Sequence, residues 1–485
     1  MKNPVAYIKN SIVDFIDSFR KPEGKKTYRQ IGKVAFPAFL ELFLISLKGI
    51  VDMLMVSSLG IQAISGVGLT NQPFFLMIAI FNAVNVGTTT LVSWNIGKGD
   101  LARAAKITKQ AIIFNFGIGA VIAAIGFFGA GPLMNLIGVD DPVVLAYATQ
   151  YMEIIAISVA FHAVSMAITA ALRGAGQTKI PMLYNLCGNA LHLSLNFLLI
   201  NGNLGFPALG VQGAAISATT SRIIISMAAL FILAFWKKSP LRIKLNKDWR
   251  PRLKIAGDIF AIGMPAAGEQ FAIQTGLLVY TSMVASLYTY AFTAHQIAIN
   301  INGLAFAVSM SFGISTTALV GRACGQDDYD LAYRYTIFTR RLARAITAVI
   351  TASFIIFSAN IIGIYTENPI VIDYGVPVFW FMALTQFVQS SNMSTAGALR
   401  GSGDTMYPLY ASIIGIWGTR LILAAFFIFV MEWGVWGAWL SFFIDQCSRS
   451  WVVSRRFNSG KWREMKAVRE AKAAARRQKL ESRNS

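Results

Sequence analysis

Long apolar stretches recur along the whole sequence and constrain its fold more than any other feature. Hydropathy and helix-breaking residues delimit twelve of them, each long enough to cross a hydrocarbon core of about 30 Å as an α-helix. The chain is 55% hydrophobic and 14% charged, a composition typical of integral membrane proteins. We therefore expect an all-α integral membrane protein with spans at 31–57, 66–96, 107–130, 143–171, 179–200, 210–235, 255–286, 291–321, 336–363, 370–398, 406–430 and 434–453.

Basic residues are concentrated in alternate loops, and their distribution predicts the orientation. Eight Lys and Arg residues lie between Lys237 and Lys254, and others lie in the remaining loops on that side. The six loops on the opposite side carry no Lys or Arg. By the positive-inside rule, both termini are predicted to be cytoplasmic. We expect a multi-pass protein of the bacterial inner membrane.

The two ends of the chain are basic and predict contact with the membrane surface. Residues 1–30 place apolar side chains at helical spacing among Lys and Arg, which predicts an amphipathic cytoplasmic segment. The tail 455–485 would face the anionic inner leaflet, and a solvated disordered tail is the alternative. A nucleic-acid partner is not expected, because no base-reading motif accompanies the net charge of +20.

The second half of the chain repeats the first at an offset of about 228 residues. The motif Leu-Arg-Gly-x-Gly-x-Thr begins at Leu172 and again at Leu399. Because each half contains an even number of spans, both halves cross the membrane in the same sense and are related by an axis along the membrane normal. The predicted domains are the N-lobe 31–236, the basic linker 237–254 and the C-lobe 255–454, flanked by the segments 1–30 and 455–485.

Three charged residues lie in the first span, on one stripe of the predicted helix. They are Glu41, Lys48 and Asp52, and unpaired charges in a membrane are costly, so a role or a partner is expected for each. Glu41 has a counterpart in the repeat at Glu269, whereas Asp52 aligns with Tyr280. Two alternatives remain open: Glu41 satisfied by Lys48 or by backbone groups, and Lys48 with Asp52 as a structural ion pair.

Several segments, together with their order and duplication, resemble the multidrug and toxic compound extrusion (MATE) family of the MOP superfamily. The resemblance implies two pseudo-symmetric six-helix lobes in a V, with a drug-sized cavity between them. It also implies export of amphipathic, often cationic compounds against a proton or sodium gradient. The segments that carry it are Val51-Asp52, Ser58-Leu59-Gly60, Thr89 to Asp100, both Leu-Arg-Gly-x-Gly-x-Thr loops, Gly205 to Ala215 and Ala294 to Ile297.

The resemblance extends to individual positions. Asp52 matches the first-helix aspartate of members that couple ions in the N-lobe, and the partner positions in the fifth helix, usually an Asn and an Asp, read His192 and Asn196 here. One carboxylate of a sodium site is thus missing, and proton coupling with His192 is favoured over sodium at Asp52. Another branch of the family uses acidic residues at positions that read Ile273 and Gln389 here. The predicted ion-coupling residues are Asp52, Glu41, Lys48, His192 and Asn196.

Candidate substrate contacts lie in the second half. Flat aromatic rings bind organic cations by stacking and cation–π contact, but aromatic residues of membrane spans more often face lipid or pack in the core. The predicted substrate-binding residues are Glu269, Tyr280, Gln389, Phe379 and Trp417. Asp445 is predicted to form a structural ion pair with Arg449 and with either Arg222 or Arg420.

These features predict a monomeric secondary antiporter that exports small organic molecules in exchange for protons or sodium by rocking alternating access. No cofactor is expected beyond the coupling ion, and the three cysteines have neither disulfide nor metal spacing. A lipid-linked oligosaccharide flippase of the same architecture is the main alternative. A membrane-embedded enzyme is disfavoured because the short loops hold no candidate catalytic set. We also do not expect a channel, because no charged ring lines a pore.

Overall fold

The structure is a computed structural model that describes residues 21–136, 141–236, 241–243 and 249–481. Short loops join the helices in this part of the chain. Residues 1–20 of the predicted amphipathic segment 1–30, most of the basic linker and the end of the tail lie outside the described residues.

Helices numbered along the chain correspond to each predicted span. The first half contains α1 (Pro22–Ser57), α2 (Ile61–Gly97), α3 (Leu101–Phe128), α4 (Ala130–Leu136), α5 (Pro142–Ile157), α6 (Val159–Gly174), α7 (Lys179–Asn201) and α8 (Gly210–Phe235). The second half contains α9 (Leu253–Ala285), α10 (Thr289–Gly325), α11 (Tyr329–Ile356), α12 (Ser358–Gly363), α13 (Pro369–Gly401), α14 (Met406–Ile413), α15 (Leu421–Ala425), α16 (Gly434–Asn458) and α17 (Met465–Glu481). Two π-helical segments, Ile414–Arg420 and Phe426–Val430, flank α15.

The predicted all-α membrane fold is confirmed, and the order of its helices is consistent with twelve spans. Among the described residues, seven helical stretches are long enough and apolar enough to cross a membrane. The bent pair α5 and α6, counted as one span, is an eighth. The apolar cores lie between the spans of each half, where small residues allow the helices to approach closely.

Several helix boundaries differ from the sequence prediction, and two of the differences have a clear local cause. The helix α1 begins at Pro22, nine residues before the predicted span, because Pro at the first turn and Glu23 beside it favour a helix start. The predicted span 143–171 is bent by 52° at Ser158. The Ser158 hydroxyl donates to the carbonyl of Ile155 at 2.7 Å, a local bond that competes with the regular helix.

Contacts divide the described chain into two compact units. The N unit contains Leu40–Gln274 and the tail from Ala467, and the C unit contains Thr275–Lys466 and the described residues up to Phe39. The unit boundaries therefore lie inside α1 and α9, whereas the predicted lobe boundaries place each of these helices in a single lobe. Each helix carries an internal proline, Pro37 or Pro265, which removes a backbone hydrogen bond.

The same interhelical contact occurs in both units and confirms the internal repeat. In the N unit, the Thr89 hydroxyl donates to the carbonyl of Ala170 at 3.0 Å. In the C unit, the Thr317 hydroxyl donates to the carbonyl of Gly397, also at 3.0 Å. These residues occupy equivalent positions in the two halves, so the duplicated sequence builds a duplicated helix contact.

The beginning of the tail is folded against the C unit. Trp462 is buried and stacks on Phe457 with ring centroids 5.2 Å apart. Lys466 is also buried, and its Nζ atom donates to the carbonyl of Cys324 at 2.7 Å and to the Asp327 carboxylate at 2.5 Å. This part of the tail is therefore ordered, in contrast to the alternative of a wholly disordered tail.

The close helix contact in the C unit yields a test of the packing. A Cβ atom at Gly397 would lie 2.3 Å from the carbonyl oxygen of Gly313, so Gly397→Ala forces α10 and α13 apart. We expect the free energy of unfolding to fall by about 1–3 kcal/mol, measured from thermal unfolding in detergent. Gly303→Ala is the control, because a Cβ atom there meets no atom within 4 Å. Equal stability of the two variants would contradict the described packing.

Candidate functional site

Asp52 lies near the end of α1 in the N unit, and charged and polar residues of α1 and α7 surround it. Lys48 precedes it by one helical turn, and His192 and Asn196 are one turn apart on α7. Because residues four apart project from the same face of a helix, each pair presents both side chains to the other helix. The structure thus brings together four of the five residues predicted for ion coupling.

The Asp52 carboxylate contacts three nitrogen atoms. Its Oδ1 atom is 2.9 Å from His192 Nε2 and 3.0 Å from Asn196 Nδ2, and its Oδ2 atom is 3.2 Å from Lys48 Nζ. His192 and Asn196 are buried, whereas 27% of the Asp52 side chain is exposed. The ionised carboxylate therefore has hydrogen-bond donors on both oxygens and still reaches the surface of the protein.

Ser221 of α8 contacts the other nitrogen of the His192 ring. Its Oγ atom is 3.2 Å from His192 Nδ1 and 3.0 Å from the carbonyl oxygen of Ala218. A hydroxyl has a single proton to donate, so it serves one of these two acceptors at a time. When His192 is neutral with its proton on Nε2, Ser221 donates to Nδ1. When His192 is cationic, Nδ1 donates to Ser221, and Ser221 donates to the carbonyl.

The Asp52–His192 pair can therefore hold one proton or two without displacement of a heavy atom. With one proton the pair has a charge of −1, and with two it is neutral. Rotation of the Ser221 hydroxyl accommodates either state. The arrangement is chemically suited to take up and release a proton.

A second cation, Arg222 of α8, lies near the site. It is close enough to interact electrostatically with Asp52 and Lys48, and its guanidinium carbon lies 4.4 Å from the centroid of the Phe74 ring. An arginine guanidinium stays charged at neutral pH, and the Lys48 ammonium is paired with the Asp52 carboxylate. The imidazole of His192 is the group of this site that ordinarily titrates nearest to neutral pH.

Oxygen ligands are scarce around Asp52. Sodium, like other hard cations, prefers oxygen ligands, and the contacts of Asp52 are all with nitrogen. The Asn196 Oδ1 atom is buried and has no hydrogen-bond partner among the described residues, so it could serve as a second oxygen. In the part of the chain that the structure describes, no group of three or more His, Cys, Asp or Glu is placed to bind a metal ion.

Glu41, the fifth predicted coupling residue, is held by other partners. Its Oε2 atom lies 2.9 Å from Arg173 Nη2, and Asn185 Nδ2 donates to Oε1 at 2.6 Å. The Glu41 side chain is 2% exposed. The alternative that paired Glu41 with Lys48 is therefore replaced by a buried ion pair with Arg173, away from the contacts of Asp52.

The internal repeat contains a signal for this ion pair, because both partners are duplicated. Arg173 is the arginine of the duplicated Leu-Arg-Gly-x-Gly-x-Thr motif, and its counterpart is Arg400. Glu41 likewise has its counterpart at Glu269, which is buried in the N unit. Both the acidic and the basic partner thus occur twice at equivalent positions.

The substrate contacts predicted for the C unit lie in different environments. Tyr280 and Gln389 are buried, and neither the Tyr280 hydroxyl nor Gln389 Oε1 has a hydrogen-bond partner among the described residues. Phe379 is fully buried in the apolar core beside Met382, which favours a packing role. Trp417 is 42% exposed. Their roles as substrate contacts stay predictions.

Asp445 of α16 is the centre of a second charged cluster, in the C unit. Its carboxylate contacts Arg420 at 2.5 Å and Arg449 at 2.7 Å. The sequence left Arg222 and Arg420 open as the second partner, and the structure assigns Arg420. Arg222 lies in the N unit instead.

Comparison with known proteins agrees with this fold. The profile of the MatE family matches the chain twice, over residues 37–198 and 265–426, at the offset of the internal repeat. The uncharacterized transporter YisQ of Bacillus subtilis is 29% identical over 445 residues, which is 92% of this chain and 97% of that protein. A probable multidrug resistance protein NorM of Thermotoga maritima is 28% identical over 450 residues, covering 92% and 96%.

Solved structures show the same fold at lower sequence identity. A MOP superfamily transporter from Pyrococcus furiosus superposes with a TM-score of 0.83 and 19% identity, covering 91% of this chain and 97% of that one. An outward-facing MATE family transporter superposes with a TM-score of 0.81 and 19% identity, covering 93% and 96%.

The ion pair of Glu41 can be tested with a double-mutant cycle. Arg173→Gln leaves the buried Glu41 carboxylate without its cation, so we expect the free energy of unfolding to fall by about 3 kcal/mol. In the variant with both Arg173→Gln and Glu41→Gln the loss should be smaller, because no buried charge remains unpaired. Thermal unfolding in detergent measures the loss of unfolding free energy in each single variant and in the double variant. Strictly additive losses would show that the two side chains do not interact.

Proposed function

We propose that this chain, which belongs to the MatE family, is a proton-coupled antiporter that exports amphipathic, mainly cationic organic compounds. Its family and fold make it a multi-pass membrane transporter of small molecules. The observation that carries the proton coupling is the 2.9 Å contact between Asp52 and His192, in a network that can hold one proton or two.

The proposed exchange follows from the charge of this pair. A proton that arrives from outside neutralises the Asp52–His192 pair and lowers its attraction for a cationic compound, which is then released. Loss of the proton to the cytoplasm restores the negative charge, and the next compound competes with Lys48 for the carboxylate. Alternating access ensures that the two events take place on opposite sides of the membrane.

Protons are favoured over sodium as the coupling ion. The carboxylate contacts nitrogen atoms of Lys48, His192 and Asn196, and a sodium ion would have to displace these donors and find oxygen ligands. A proton requires only the rearrangement of hydrogen atoms that the network already permits.

The distribution of basic residues supports the proposed orientation in the membrane and contact with anionic lipid. The positive-inside rule supports cytoplasmic termini, with the basic loops and tail beside the anionic inner leaflet. We propose that the protein functions as a monomer.

Relatives that are named as probable multidrug resistance proteins support small organic compounds as substrates. The exposed ring of Trp417 offers a surface for planar cations.

Transport in everted membrane vesicles tests the coupling. Addition of a cationic dye to vesicles with a preformed pH gradient should dissipate that gradient in the wild type, as measured with a pH-sensitive fluorophore. Asp52→Asn should abolish the response, and His192→Asn should lower its rate by at least about tenfold, because either change removes a proton-binding group.

Asp373→Asn is the matched control, because Asp373 is an exposed acid at the start of α13. This variant should respond like the wild type. Dye export that needs sodium and leaves the pH gradient unchanged would refute proton coupling, and wild-type rates in Asp52→Asn would refute the role of Asp52.

A further inference from the structure

The C unit contains a buried cluster with more cations than anions. The Asp445 carboxylate accepts hydrogen bonds from Arg420 Nε at 2.9 Å and Arg420 Nη2 at 2.5 Å, and from Arg449 Nε at 2.7 Å and Arg449 Nη2 at 3.1 Å. At most 6% of each of these three side chains is exposed. Two guanidinium groups thus share one carboxylate.

No second acidic side chain in the described part of the chain compensates this excess positive charge. Asp445 is the one carboxylate there that forms an ion pair with Arg420 or Arg449. An uncompensated charge in a buried, membrane-spanning region is costly. An additional anionic group beside Arg420 would remove this cost.

Three polar side chains next to Arg420 have no hydrogen-bond partner among the described residues. They are the hydroxyl of Tyr280, the indole Nε1 of Trp439 and both ring nitrogens of His295, and all three side chains are almost completely buried. Buried polar atoms are rarely left unpaired. The indole N–H is purely a donor, and the phenol and the imidazole each have a proton to donate. An acceptor would pair with the indole N–H, the phenol O–H and the one N–H of a neutral imidazole, whose other nitrogen needs a donor instead.

The rings that carry these donors neighbour one another in a chain that begins at the Arg420 guanidinium group and ends at Trp439. The Arg420 Cζ atom lies 5.4 Å from the centroid of the Tyr280 ring, and the Tyr280 and His295 rings are 5.9 Å apart. The Trp439 ring lies 5.8 Å from His295. The ring of Phe442, 3.8 Å from Arg420 Cζ, adds an apolar wall.

The backbone is adapted to this cluster. Arg420 is the last residue of the π-helical segment Ile414–Arg420, and π-helical turns are frequent at functional sites. Within this segment, a Cβ atom at Gly415 would lie 2.2 Å from Asp445 Oδ1. Glycine at this position therefore allows the carboxylate to lie directly against the helix backbone.

The cluster also distinguishes the two halves of the repeat. Tyr280 occupies the position of Asp52, so a hydroxyl donor replaces the carboxylate. Arg420 and Arg449 have no basic counterparts at the equivalent positions of the first half. The equivalent place thus holds a carboxylate in the N unit and a phenol beside Arg420 in the C unit.

We propose that the C unit binds a monovalent anionic group beside Arg420, with hydrogen bonds from Tyr280, Trp439 and His295. The group is either a free inorganic anion or the carboxylate of an organic compound. Because the walls are aromatic, the site favours weakly hydrated anions such as bromide and aromatic carboxylates over strongly hydrated ones such as sulfate. This site is independent of the proton coupling at Asp52.

Thermal unfolding of the purified protein in gluconate buffer, at constant ionic strength, tests the proposal. Sodium bromide and sodium benzoate are titrated separately, and at least one should raise the unfolding temperature with saturation. A response to bromide alone indicates an inorganic anion, a response to benzoate alone indicates an organic carboxylate, and competition between the two indicates a site that accepts both. Sodium sulfate should have little effect.

Two variants locate the site. Tyr280→Phe and Trp439→Phe each remove one donor, and we expect the apparent Kd of the active anion to rise about tenfold in each. Tyr365→Phe, at an exposed position after α12, should bind as the wild type does. The unfolding temperature of each variant in gluconate reports whether it folds. Absence of a saturable response to either anion in the wild type, or equal affinity in all the variants, would overturn the proposal.

Discussion

Charges inside a membrane must be paired within the protein, because lipid cannot solvate them, and the polar architecture of this transporter depends on that constraint. Glu41 ties α1 to α6 through Arg173, and Asp52 ties α1 to α7 through His192. Asp445 ties α16 to the π-helical segment that ends at Arg420. Each of these contacts fixes how two helices face each other.

Hydropathy and duplication predicted the spans and the repeat, because both are properties of the linear sequence. The grouping of Asp52 with His192 and Asn196 was also predicted, through residues matched one by one to a family pattern. The partner of Glu41 and the bend at Ser158 were not predicted, since both depend on which helix faces which. No proline or glycine marks the bend, and hydropathy does not report the rotation of a helix about its axis.

The two halves retain the same framework and differ in their chemistry. Equivalent threonine contacts, from Thr89 and Thr317, hold equivalent helices together in each unit. At the position of the Asp52 carboxylate, however, the second half has the phenol of Tyr280, next to an arginine pair. Duplication supplies a common scaffold, on which the first half carries the Asp52–His192 pair and the second carries the Asp445 cluster.

If a compound and a proton compete for the Asp52–His192 pair, binding of the compound releases a proton, and calorimetry measures that release. Binding of a cationic dye to the purified protein is measured in two buffers of different ionisation enthalpy at the same pH. We expect the wild type to release up to about one proton per dye molecule bound, and the Asp52→Asn variant to release no proton when it binds the dye. Binding without proton release in the wild type, or equal release by the variant, would contradict the proposed competition.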